Sequence, residues 1–187
     1  MSGGFFPPKE GGNMVKRLVM GLAALAVATG VPARADVTQT DVEVGGRVLG
    51  FLSTPLTGDT KLSVVYAPGN AASAAEQKAL AGILGSGMKA GNVTFQPSAV
   101  ELDKIDGVAG GVVFLTGGLG ADAAKVAAAL KAKKLICMTT DMAAVQAGYC
   151  PIHVKSAPKV QITVNKAMAD QLGITFGAAF KLMITEI

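Results

Sequence analysis

Few residues in this chain have the type and spacing to do chemistry. Cys137 and Cys150 are separated by 12 residues. In an oxidising compartment such a pair forms a disulfide if its Cα atoms come within about 7 Å. Closing a loop of that size contributes roughly 3 kcal/mol through the denatured state. The plainer alternative is two small buried hydrophobes. With two cysteines and one histidine the chain cannot build a four-ligand zinc site of the usual kind. His153 could serve a Cys/His nucleophile only with a thiol or carboxylate about 3 Å from its ring. It stands between Ile152 and Val154 in an extended run. Alternation therefore turns it to the opposite face from both, and partial solvent exposure is the simpler expectation. The acids Glu101, Asp103 and Asp106 are interrupted by Lys104 and read as a solvated loop.

A second candidate is the turn Gly117-Gly118-Leu119-Gly120, which follows a β-branched run and precedes an alanine-rich helix. Free backbone N–H groups and a helix N-terminus can together hold an anion, so Gly117, Gly118 and Gly120 are the candidate ligand contacts. The dinucleotide fingerprint is incomplete, because Ala123 stands where its third glycine belongs, and no Walker lysine follows. Turn residues that accept positive φ explain these glycines equally well. Pro68-Gly69-Asn70, before another helix, has the same layout. No cofactor or metal is expected from these motifs.

The elements that must position these residues alternate. Val44, Val48, Phe51 and Leu52 predict an amphipathic helix ending near Pro55. Leu62 to Ala67 predicts a buried strand, and Ser73 with Glu76 suits a capping box on a helix running to Leu84. Val93 to Gln96 reads as a strand closed by Pro97, and Glu101 to Gly107 as a polar turn. Gly111 to Thr116 is a further strand, followed by a helix to Lys133 with Asp122 as N-cap. Leu135 to Thr139 is a strand, and Asp141 to Gly148 allows two helical turns at most. Ile152 to Lys155 and Val160 to Val164 suggest a hairpin-like pair. The end reads as a helix from Lys166 to Leu172, a break at Gly173, and an apolar helix carrying Phe176, Phe180 and Met183. The expected fold is an α/β sandwich, a mostly parallel central sheet flanked by helices, with an antiparallel pair near the C-terminus.

Composition sets the context. The 187 residues are 50% hydrophobic and 16% charged, too apolar for a disordered chain. The net charge of +4 includes Lys9, Lys16, Arg17, Arg34 and Glu10, so the chain from residue 36 carries only +1. That leaves no electrostatic footing for nucleic-acid binding. Met14-Val-Lys-Arg, the uncharged run Leu18 to Val31 and Pro32-Ala-Arg-Ala35 read as a signal peptide. Fourteen residues span about 21 Å as a helix, short of the roughly 30 Å hydrocarbon core. The reading is a leader over residues 1–35, translation starting at Met14 and cleavage after Ala35. A single domain over residues 36–187 is then exported to a bacterial periplasm, with no membrane insertion after cleavage.

The C-terminal half resembles the YfiR-like family of periplasmic proteins. The residues that carry the likeness are Val112 to Leu115, Leu135-Ile-Cys-Met-Thr-Thr-Asp141, Gly148, Lys159-Val-Gln-Ile-Thr-Val-Asn165, Leu172-Gly-Ile-Thr-Phe176 and Phe180-Lys-Leu-Met183. Ser53-Thr54-Pro55 replaces the family's Trp-Pro step, and Gly148-Tyr149-Cys150 its paired glycines. The resemblance implies a non-enzymatic regulator that binds the periplasmic sensor domain of an inner-membrane diguanylate cyclase, with Cys137 and Cys150 as a stabilising or redox-sensing bridge. Homodimer formation fits the same reading. The alternative is a small-ligand module like one lobe of a solute-binding protein, using the glycine turn at 117–120.

Overall fold

The computed structural model describes residues 3–4 and 37–187. The chain divides into two units, Met1–Val31 and Pro32–Ile187. Apart from Gly3 and Gly4, the expected leader, with its start at Met14 and cleavage after Ala35, lies outside the described residues.

The described elements are α1 (Gln39–Leu49), β1 (Gly58–Tyr66), α2 (Ala71–Leu84), β2 (Met88–Ala90), β3 (Val93–Glu101), β4 (Val112–Leu115), α3 (Ala123–Lys133), β5 (Ile136–Thr139), α4 (Met142–Gln146), β6 (Ile152–Lys155), β7 (Gln161–Val164), α5 (Lys166–Leu172), α6 (Ala178–Lys181) and β8 (Thr185–Glu186). One sheet of 8 strands runs in the order β2-β3-β1-β4-β5-β6-β7-β8. The segment β3-β1-β4-β5-β6 is parallel throughout, and β6 and β7 form the antiparallel pair expected near the C-terminus. The chain leaves β1 toward β3 and later continues from β4 toward β5 and β6, so its crossovers run in opposite directions from the β1/β4 junction. Right-handed crossovers then place α2 on one face of the sheet and α3 and α4 on the other.

Register explains the core. Val64, Phe114, Met138, Ile152 and Val164 form one cross-sheet row, and Val65, Leu115, Thr139, His153 and Thr163 the adjacent row on the opposite face. Helix α1 covers the Met138 side. A Cβ at Gly45 would stand 2.7 Å from the Met138 sulfur, and one at Gly46 would stand 2.3 Å from the Ala90 Cβ. Glycines here let the helix lie directly on the sheet. Asp41, 1% exposed, closes the capping box with Thr38 and also accepts from the Ser156 N–H at 2.6 Å, tying α1 to the end of β6.

Several expectations are corrected. Strand β3 continues through Pro97 to Glu101. This is permitted because β2 pairs only with Val93 to Phe95, leaving the position beside Pro97 as an unpaired edge. The polar turn at 102–107 is a 3-10 turn that buries Leu102 and Ile105. Asn70, rather than Ser73, caps α2, and Asp122 makes no side-chain cap on α3. The closing apolar helix is absent: Phe176 forms a bridge with Leu52, α6 is one turn, and the chain ends as β8 beside β7.

Candidate functional site

In an open parallel sheet, ligands bind beyond the carboxyl ends of the strands where the order reverses. Here that place lies above β1 and β4, and the residues meeting there are Asn70, Ser73 and Glu76 from α2, Thr116 to Gly118 after β4, and Thr140 and Asp141 after β5. The glycine turn predicted as a ligand loop does lie at this junction. Gly118 adopts φ 77° and Gly120 φ 51°, as turn glycines must. The space beside Gly117 and Gly118 is taken by the protein's own groups, whereas Gly120 stands open beside the cavity described below.

Two buried or half-buried carboxylates hold the loop. Glu76, 5% exposed, accepts from the Gly117 N–H at 2.6 Å and from the Thr140 hydroxyl at 2.6 Å. Asp141 accepts from the Gly118 N–H at 3.2 Å while capping α4 at Ala143 and Ala144. Around them Asn70 donates to the Gly118 carbonyl at 2.7 Å and accepts from the Ser73 N–H. Thr116 donates to the Val65 carbonyl at 2.9 Å, so the Ser73 hydroxyl donates to Thr116 at 2.7 Å and accepts from the Ala67 N–H. Burial pushes the Glu76 carboxyl above its ordinary value, opposed by the hydrogen bonds from Thr140 and Gly117. The Gly117 and Gly118 N–H groups therefore already serve carboxylates. The Asp141 charge beside them repels a second anion.

A cavity of about 170 Å³ opens next to this clasp, lined by Leu115, Thr116, Leu119, Ala123, Asp141 and Tyr149 among others. Its walls are mainly apolar, and of its polar groups Thr116 and Asp141 are engaged in the clasp's own bonds.

His153 differs from expectation. Alternation does place it opposite Ile152 and Val154, but it is 4% exposed rather than solvated. Desolvation holds its ring below the ordinary 6.5, against a backbone hydrogen bond to Thr140 that favours the charged form. Its Nδ1 has no hydrogen-bond partner. The loop acids behave as read: Glu101 pairs with Lys104 and Asp103 with Lys125, both at the surface.

Cys137 and Cys150 form a disulfide with Cα atoms 5.4 Å apart, clamping β5 to the chain entering β6 across α4. Both residues are fully buried. Such bridges persist in oxidising compartments.

What sequence reading missed is the inward role of Glu76. The signal was present, since Ser73, Glu76, Leu80 and Leu84 are the buried residues of α2 and share one helical stripe. It also missed an exposed apolar corner. Leu182 is 90% and Met183 70% exposed just after Phe180, whose ring stacks on Phe51 at 4.5 Å, and Ile187 is half exposed beyond them.

No protein-family model and no curated protein matches the chain. Among solved structures, a conserved domain protein from Vibrio cholerae O1 biovar El Tor is similar at a TM-score of 0.56 and 14% identity, covering 79% of this chain and 59% of that one. The ABC domain from Streptococcus pneumoniae in complex with L-Trp is similar at 0.50 and 14% identity, covering 83% and 60%. The chain thus spans about three-fifths of either structure, and the likeness is one of fold. No helix among the described residues is long and apolar enough to cross a membrane.

Proposed function

We propose that the chain is a non-enzymatic, exported signalling regulator that docks, through its apolar C-terminal corner, on the periplasmic sensor domain of an inner-membrane protein. The resemblance to YfiR-like proteins points to a diguanylate cyclase. The observation that carries the reading is the exposure of Leu182 and Met183, large apolar side chains held on one short turn beside the Phe51–Phe180 stack. Isolated exposed hydrophobics are ordinary, whereas several gathered at one corner mark an interaction site. The clasp above β1 and β4 supports the same reading, since the Gly117 and Gly118 N–H groups of the glycine turn already serve the protein's own carboxylates. Buried sulfurs favour a bridge that braces the β5–β6 corner. A redox gate on it would require that corner to open first.

The test is a pull-down from solubilised bacterial membranes with the wild type and with a Leu182→Lys/Met183→Lys variant, with and without reductant. Exposed positions of this kind tolerate substitution within about 0.5 kcal/mol. Recovery of a membrane sensor by the wild type alone is expected. Recovery of none under either condition overturns the proposal. A concentration-dependent dimer abolished by the same variant would instead identify a second copy as the occupant.

The second reading, a small-ligand module, is favoured by the cavity beside Thr116 and Asp141 and by the similarity to a domain crystallised with L-Trp. Saturable heat on titration with L-Trp, lost in Ala144→Phe, would support it.

A further inference from the structure

His153 is the single histidine of the chain. It is buried, and a buried polar atom without a partner calls for an explanation. Its ring interacts with the backbone of Thr140, and its Nδ1 has no hydrogen-bond partner. Protonation would turn that Nδ1 into a charged donor with nothing to receive it.

We propose that His153 is a pH-operated lock on the C-terminal edge of the sheet: when it takes up a proton, β6, β7 and β8 loosen and the corner formed by residues 182–187 is released. The geometry that carries this is a single row of cross-strand partners. Thr139 pairs with His153, His153 with Thr163, and Thr163 with Thr185. The row leads from the clasp, through Thr140, to the strand next to the exposed apolar side chains. It thins toward the edge. β8 is held to β7 by two residue pairs, with the Ile187 N–H on the Val164 carbonyl at 3.0 Å and the Lys166 N–H on the Ile187 carbonyl at 3.0 Å.

The charged groups around the ring oppose one another. Asp141 from the turn before α4 and Asp41 from α1 favour the imidazolium, and Lys155 on the same strand disfavours it. Glu76 reaches the same Thr140 from α2. Neither α4, β5 nor β7 contributes a charged side chain. Burial is the largest influence, and it resists protonation. The sign follows: the closed edge is fully stabilised above the ring's ordinary 6.5 and loses stability as pH falls from there through the ring's lower, folded-state value.

The lock rests on the docking reading for its consequence, but its test needs no partner. With one histidine, the imidazole carbon-bound protons of the labelled full chain give one titration curve by NMR. The expected midpoint lies below 6.5. Over the window between 6.5 and that midpoint, protection of the Ile187 amide against exchange, corrected for intrinsic rate, should fall by up to about tenfold per pH unit, the limit for one linked proton. His153→Gln, which keeps a donor for Thr140 and cannot charge, should hold protection flat, and His153→Phe serves if the glutamine variant does not fold. An imidazole midpoint at or above 6.5, protection of Ile187 indifferent to pH, or the same fall in either variant each overturns the lock. Failure of the pull-down with an intact exchange response would remove the partner and leave the lock.

Discussion

Reducing the Cys137–Cys150 bridge tests both the fold and the compartment. The bridge closes a loop of sequence separation 13 that contains the whole of α4. In the chain-entropy account, a loop of about that length removes denatured-state freedom equivalent to about 3 kcal/mol at 25 °C. For a chain of this size each kcal/mol moves the melting midpoint by roughly 2–4 °C, so reduction should lower it by roughly 6–12 °C. The assay is paired urea and thermal unfolding of oxidised and fully reduced protein, with thiols counted by mass spectrometry. The cleanest control is Cys137→Ala/Cys150→Ala, which should be indifferent to reductant. Because both cysteines are fully buried, the bridge should also resist reduction until the β5–β6 corner opens. Equal midpoints for oxidised and fully reduced protein would refute the reasoning, as would two free thiols in protein purified from the periplasm.

Glu76→Ala should cost about 1–3 kcal/mol, because the Gly117 N–H and the Thr140 hydroxyl lose their acceptor. Glu76→Gln should cost much less. It should also erase a pH dependence of urea stability in which the wild type is favoured below the carboxyl's ordinary 4.5 and loses that advantage as pH rises through the raised folded-state value. Gly46→Ala should destabilise by roughly 1–3 kcal/mol, since its Cβ would meet the Ala90 backbone carbonyl at 2.6 Å, and Gly45→Ala by less because it meets the Met138 side chain. Equal midpoints for the two glycine variants would show that α1 shifts freely on the sheet.

Much of the sheet was legible because its central strands are short, largely apolar runs set off by glycine, proline or polar residues, and β4, β5 and β6 fall within a residue or two of their expected limits. Two parts were not. Met88-Lys89-Ala90 of β2 alternates over only three positions, too few to mark a strand, and Pro97 reads as a terminator unless one knows that its far side is an open edge. Phe176 and Phe180 fit a helical spacing, yet they stack around the chain end because Phe176 bridges Leu52 and Phe180 packs on Phe51 and Phe176. Spacing alone cannot separate a helix from a coil wrapped on two partners distant in sequence. The burial of His153 was illegible for a similar reason. Alternation gives the face of a strand, but which helix roofs that face is decided by crossover handedness and by α4.

The clasp and the C-terminal corner bear on each other. A doubly wound sheet places its free backbone donors where the strand order turns, and that is where such folds gain ligands. In this chain Glu76 and Asp141 occupy those donors, one carboxyl buried deeply enough that its charge is disfavoured. An arrangement with that cost persists where it stabilises one geometry: the β4 and β5 loops are tied to α2 by groups that meet at Thr140, and Thr140 is also the partner of His153. A site built to exchange ligands would leave donors free and gain them on binding. One that satisfies them internally becomes a rigid base, and rigidity is useful at the switch point only if something else moves. In the lock proposed above, that part is the thin β7–β8 edge, two residue pairs long and flanked by exposed apolar side chains.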